Sequence, residues 1–259
     1  MARTEIKIDT SIPPYETRYC AFVDILGFRS LIRELDSGSV DVSTMRDILY
    51  RVHGRPFLSA KRHALDLKVH TISDGICASC AVTAADLQYL LFSLGSLTHG
   101  LLEHGYFVRG AVVKGKLFHD ALFVFGAALV KAYELESTVA VYPRIMLTKE
   151  VAADVRTYQA ADPHYGDRVR QANDGPFFLH ALEFIRSSLG ARETDAERAI
   201  QAEHFNAIGR RIQQRFDESV DTPKHFEKVK WFARYWNEST SDHRQFVFPV
   251  KGPGTDTWD

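Results

Sequence analysis

The chain has 259 residues, 45% hydrophobic and 25% charged, and its 32 Lys+Arg against 33 Asp+Glu leave a formal charge of −1. That composition excludes a disordered chain, and the even charge balance excludes a binder that tracks nucleic-acid phosphates through a basic excess. No apolar run approaches the ~18 residues that cross a bilayer, the first residues lack a secretory core, and Cys20, Cys77 and Cys80 imply no disulfide framework. The expectation is a cytoplasmic protein with a sizeable core and with neither a nucleic-acid nor a membrane partner.

Residues 1–17, broken by Pro13-Pro14, read as a tail. Arg18 to Val23 is aromatic and β-branched, as a buried strand should be, and it stops at Asp24. Helical spacing starts at Phe28, Leu31, Ile32 and Leu35, and a second helix begins near Ser43 or Thr44. Leu67–Ile72 and Ile76–Val82 flank Ser73-Asp74-Gly75, a hairpin signal. Seven leucines from Leu87 to Leu102 mark a long helix, closed near Gly105.

Tyr106–Val113 predicts another strand, and Leu117-Phe118 with Ala121–Phe125 a short hairpin around His119-Asp120. Gly126–Glu136 predicts a helix, Arg144–Leu147 a strand, and a further helix starts near Lys149. Hairpins mixed with crossover helices indicate an α+β fold with helices on one face of a sheet. Beyond residue 190, Phe205, Ile208, Ile212 and Phe216 form one amphipathic set, and Phe226, Val229, Phe232 and Trp236 a second. These suggest a helical extension over 186–259, packed on the core or on a second subunit, with KGPGTDTWD as a loose end.

Two acids are placed alike. Asp24 ends a buried strand and Asp74 sits at the tip of a hairpin that would pair beside it. A strand end and an adjacent hairpin tip meet at one sheet edge, where two carboxylates and a backbone carbonyl make a hard-oxygen site for Mg²⁺ or Mn²⁺. An ordinary turn aspartate is the plain alternative for Asp74. Asp24 needs a partner in any case, because an unpaired carboxylate at the end of an apolar strand is costly. Cys77-x-x-Cys80 lies in a strand, where residues three apart face opposite sides, and carries no metal motif.

The residues resemble the class III nucleotide cyclases. FVDILGF at Phe22–Phe28 is similar to the family's first metal motif, and KVHTISD at Lys68–Asp74 to its second. RGAVVKG at Arg109–Gly115 meets the third motif in part, and FGAALVKAYELES at Phe125–Ser137 is similar to the fourth. The resemblance covers roughly residues 18–150. It implies a ferredoxin-like cyclase core (about 18–185) and a head-to-tail homodimer with composite sites. Each site would take a nucleoside triphosphate and two divalent cations held by Asp24, Asp74 and the carbonyl of Ile25. It also implies phosphate contacts from the amides of Leu26, Gly27 and Phe28 and two-metal displacement of pyrophosphate.

Two departures narrow the resemblance. Where the family's helix carries Asn and Arg, this chain has Val130 and Glu134, so Arg109, Lys116 and Lys131 are candidates for the missing cation. His70 stands at the base-reading position, and Tyr50 is a candidate neighbour of the base or phosphates. With the appended region ending WFARYW, these departures resemble the stand-alone pyrimidine cyclases of the Pycsar antiphage systems. That resemblance implies UTP, before CTP, as substrate and a separate effector activated by the cyclic product. A catalytically silent module and a purine cyclase are the alternatives.

Overall fold

The computed structural model describes residues 12–47, 50, 65–72, 75–162 and 166–255. Its first strand, β1 (Glu16–Leu26), is buried over most of its length on both sides, which explains its nearly unbroken apolar run. Helix α1 (Phe28–Asp36) follows at once, through Gly27 at φ +88°, a left-handed conformation that glycine adopts without steric cost. A helical turn over 42–47 comes next. The hairpin strands β2 (Leu67–Ile72) and β3 (Gly75–Cys80) then lead to α2 (Ala84–Leu102). Thr83 caps α2 by accepting from Asp86 N–H, and Gly105 at φ +76° stands just beyond its end.

Strand β4 (Phe107–His119) pairs antiparallel with β1 along eleven residues, from Glu16↔Leu117 to Leu26↔Phe107. Strands β2-β3-β1-β4, all antiparallel, with α1 and α2 between them make the ferredoxin-like arrangement. β5 (Val124–Phe125) turns back on the end of β4, and α3 (Ala127–Glu134) passes into a π-turn at Leu135–Val139. β6 (Ile145–Leu147) joins β4 in parallel, and α4 (Lys149–Ala161) follows. β7 (Val169–Gln171) and β8 (Phe177–Leu179) complete the order β2-β3-β1-β4-β6-β8-β7. The chain ends in α5 (Glu183–Gly190), α6 (Asp195–Glu218) and α7 (Pro223–Ser239).

Alternation along β1 divides the core. Tyr19, Ala21, Val23 and Ile25 face α1, α2 and α4, with Leu31, Leu90 and Val151 among their neighbours. Cys20 and Phe22 face the other way, against Ala128 and Ala132 of α3. The far part of that second face, Phe107 and Phe178, is covered by Phe232 and Trp231 of α7. Helices therefore lie on both faces, with α3 and α7 side by side on the second.

Several expectations need correction. The predicted first strand, Arg18–Val23, runs on to Leu26, because β4 stays paired with it to Phe107. Leu117-Phe118 is no separate hairpin strand but the end of β4, whose pairing continues through Lys114-Gly115-Lys116. Lys114 is tolerated there because its ammonium lies 2.9 Å from Asp154 on α4. The predicted loose end is fixed as far as Thr255: Asn237 Nδ2 donates to the carbonyls of Val250 and Thr255, both buried.

One buried contact makes a pH prediction. Leu182 N–H donates to Tyr235 Oη, leaving the phenol proton to reach His180 Nδ1 at 2.8 Å. Burial, with Arg170, Arg186 and Arg168 nearby, pushes His180 down to about 2. The unfolded chain takes up this proton near pH 6.5, the folded chain only near pH 2. The contribution is therefore complete above pH 6.5 and falls by up to about 1.4 kcal/mol per pH unit as acid is added through that window. Urea titrations at pH 7 and pH 5 should show His180→Gln losing less stability on acidification than the native chain.

Candidate functional site

Asp24 stands near the end of β1 in register with Gly75 of β3 on one side and Arg109 of β4 on the other. Asp24 and Arg109 share the second face, the one that carries α3 and α7. Arg109 Nε lies 3.3 Å from Asp24 Oδ2 and 2.5 Å from Glu136 Oε1, so one guanidinium bridges two carboxylates. Glu136 is buried, and the π-turn that closes on Ala140 N–H to Leu135 O turns it inward. Such wide turns interrupt helices chiefly at functional sites.

A second cation comes from the C-terminal extension. Lys228 lies on α7, one turn before Phe232, whose ring packs tilted against Phe107, the register partner of Leu26. Burial and then repulsion from Arg109 lower the Lys228 pKa, while Asp24 raises it. Lys228 therefore feels the charges of both Arg109 and Asp24. Beside these charges α1 begins, with no acidic residue in its first turn. The first amides of a helix have no intrahelical acceptor and carry the positive end of its dipole, an arrangement that suits phosphate oxygens.

Asp24, Ile25, Leu26, Gly27, Phe28 and Arg109 are thereby brought to one end of the sheet. Asp74 lies outside the described residues; the next residue, Gly75, is the partner of Asp24. His70 shares a row with Cys77 and Phe22 on the same face; it lies two residues along and two strands across from Asp24, roughly 12 Å at strand spacing. Its Nδ1 is 3.1 Å from His119 Nε2, whose other nitrogen is 2.8 Å from Ser79 Oγ. Arg18 holds Ser79 in turn, at 3.2 Å.

Burial first, then the charges of His70, Arg18 and Lys68, push His119 down to about 3, so it serves His70 as a neutral partner. Tyr50 is 52% exposed. Lys116 and Lys131 are exposed, as are Val130 and Glu134 on the outer side of α3. Cys77 and Cys80 face opposite sides of the sheet, Cys77 Sγ lying 3.9 Å from Cys20 Sγ.

Sequence reasoning missed Glu136, Lys228 and His119. Only the acidic-Ser end of the fourth motif pointed to Glu136, and nothing local marks Lys228. A separate convergence of donor atoms joins His99 and Glu103 at the end of α2 to His204 of α6, all within 4.8 Å of one another. Among the described residues no helix is long and apolar enough to cross a membrane.

No protein-family model matches the chain, and no curated protein does. Its chain path is similar to that of several solved cyclase domains. One is the monomeric guanylyl cyclase domain of the RhoGC fusion protein from the aquatic fungus Blastocladiella emersonii, at 16% identity and TM-score 0.42, covering 64% of this chain and 95% of that one. A non-canonical dimeric form of that domain gives 14% identity and TM-score 0.44, covering 63% and 93%. The adenylyl cyclase CyaB from P. aeruginosa gives 13% identity and TM-score 0.41, covering 63% and 91%.

Proposed function

We propose that this chain is a nucleotide-cyclase-type protein that binds a nucleoside triphosphate at the Asp24 end of the sheet. The observation that carries the reading is the convergence of four distant segments on one carboxylate. Phe22–Phe28 supplies Asp24 and the start of α1, and Gly75 brings the second segment alongside. Arg109 comes from the third segment and Glu136 from the fourth.

The donors assigned to cations here, Asp24, Asp74 and the Ile25 carbonyl, are all hard oxygens, which fit Mg²⁺ or Mn²⁺. Such ions, when bound, lower the pKa of the ribose 3′-hydroxyl and offset the triphosphate charge. The amides of Leu26, Gly27 and Phe28 bind phosphate oxygens, and Arg109, anchored by Glu136, orients Asp24. The 3′-oxygen forms a bond to the α-phosphorus as its proton leaves to solvent. The bond from that phosphorus to the bridging oxygen breaks, and pyrophosphate departs with the electron pair.

Lys228 fills the role left open by Val130 and Glu134, a cation against the charge that grows on the leaving group. Lys228→Ala should lower kcat by about 10²-fold or more, as loss of one such electrostatic contact does. KM should change less, Lys228→Arg should restore part of the rate, and the melting temperature should hold, because the lysine is partly desolvated in the folded chain. Unchanged kcat in Lys228→Ala removes it from the site.

For the base, His70 held by His119 supports a reader that donates to a uracil carbonyl, hence UTP before CTP. The cyclic product would act on a separate effector in defence against phage. Exposed Phe125, Val130 and Tyr133 around α3 support a second copy of the chain as the other wall of the site. A silent nucleotide-binding module is the second reading, favoured by the neutralisation of Arg109 between Asp24 and Glu136. Incubation with each of the four ribonucleoside triphosphates and Mn²⁺, followed by chromatography, decides among these. A cyclic pyrimidine product supports the finer reading, a cyclic purine product corrects the base, and binding without product leaves the silent module.

A further inference from the structure

A cavity of about 720 Å³ lies away from Asp24, between α2 and the α5 region. Its wall includes His99 and Glu103 at the end of α2, with Ser96, Arg168, Phe184 and Ser187. His204 of α6 reaches the same spot. His99 Nε2 and His204 Nε2 are 3.1 Å apart, and Glu103 Oε1 is 3.5 Å from each.

We propose that His99, Glu103 and His204 form a zinc site that ties α6 to α2 and keeps one coordination position open. Zinc binds imidazole nitrogen and carboxylate oxygen at about 2.0–2.2 Å, and tetrahedral geometry then sets neighbouring donors about 3.3–3.5 Å apart. The observed triangle, with edges of 3.1, 3.5 and 3.5 Å, lies within about 0.2 Å of one face of that tetrahedron. Two imidazoles with one carboxylate are a donor set that catalytic zinc sites use, unlike the all-oxygen group assigned at Asp24.

Local packing holds the donors in place. His99 and Glu103 are four residues apart, so they project from one side of α2. The His99 ring is wedged edge-on against Phe184 at 4.4 Å, with the His204 ring at 5.1 Å on another side. The side chains of His99, Glu103 and His204 keep 24%, 23% and 44% of their exposure, so an ion can enter without unfolding a helix. The open fourth position would face the cavity, where water or a ligand could take it. A His–His hydrogen bond explains the 3.1 Å contact and His–Glu ion pairs the two 3.5 Å distances, whereas one bound ion accounts for all three at once.

The proposal does not depend on the nucleotide reading, and its test is independent of catalysis. Full-length protein stripped with chelator is titrated with Zn²⁺ against a chromophoric competitor. One equivalent should bind with sub-micromolar affinity and raise the melting temperature by several degrees. Co²⁺ in its place should give the strong visible absorption of a four-coordinate ion. His204→Gln, at a half-exposed position that tolerates change, should weaken zinc at least 100-fold, and His99→Gln likewise. Asp24→Asn should leave this zinc in place. Equal affinity in the native chain and His204→Gln, or no site tighter than about 10 µM, would mean a hydrogen-bonded triad only and would overturn the proposal.

Discussion

Replacing Asp24 by alanine should abolish nucleotide turnover, by at least about 10³-fold in kcat, while the melting temperature moves by only a few degrees. The first expectation follows from the role proposed for this carboxylate, as ligand of a cation that would carry several kcal/mol of transition-state stabilisation. The second follows from the geometry of its partner. Arg109 keeps the shorter of its two ion pairs, to Glu136, when Asp24 is removed, so no buried charge is orphaned. Glu136→Ala should do the reverse. It leaves Arg109 to Asp24 alone, draws the guanidinium onto the carboxylate that would ligate a cation, and should raise the Mn²⁺ concentration needed for activity. Titrating Mn²⁺ in both variants separates loss of a ligand from loss of its positioning residue.

Trp236→Ala should cost about 3–5 kcal/mol, the range for truncating a buried tryptophan where the surroundings close only partly. Trp236 is fully buried, and an added Cβ on Gly209 of α6 would touch its ring at 3.4 Å, so α6 and α7 are matched around it. The cluster it belongs to also includes Leu102 of α2 and Phe107 of β4. The loss should therefore shift a single cooperative transition of the whole chain. Two transitions in the denaturation of the native chain, with only one moved by Trp236→Ala, would show the C-terminal helices folding apart from the sheet.

What could be read in advance was local. The β1 apolar run stopped by an acid, the leucine spacing of α2 and the Asp-Gly hairpin are carried by adjacent residues, and they placed one end of the candidate site. β7 and β8, three residues each, are too short to show a period, and α5 is a single short helix among turns. The length of β4 was hidden because its Lys114-Gly115-Lys116 segment looks like a loop until Asp154 of α4 pairs the lysine. Glu136 and His119 belong to the Asp24 and His70 surroundings only through contacts between segments far apart in the chain, and Lys228 only through charge acting across them. No spacing rule reports such contacts. The packed end at Thr255 is similar: its glycines suggest a loose chain, and only Asn237 on α7 reveals why it is held.

The central claim, that Asp24 and Asp74 jointly bind divalent ions that seat a triphosphate, is met most directly by counting Mn²⁺. Electron paramagnetic resonance of free Mn²⁺, titrated with protein and a non-cyclisable triphosphate, should give two ions per site for the native chain. Asp24→Asn and Asp74→Asn should each lose at least one of them and weaken the triphosphate together with it. If both variants bind the same number of ions with the same affinity as the native chain, the two carboxylates do not share a metal site.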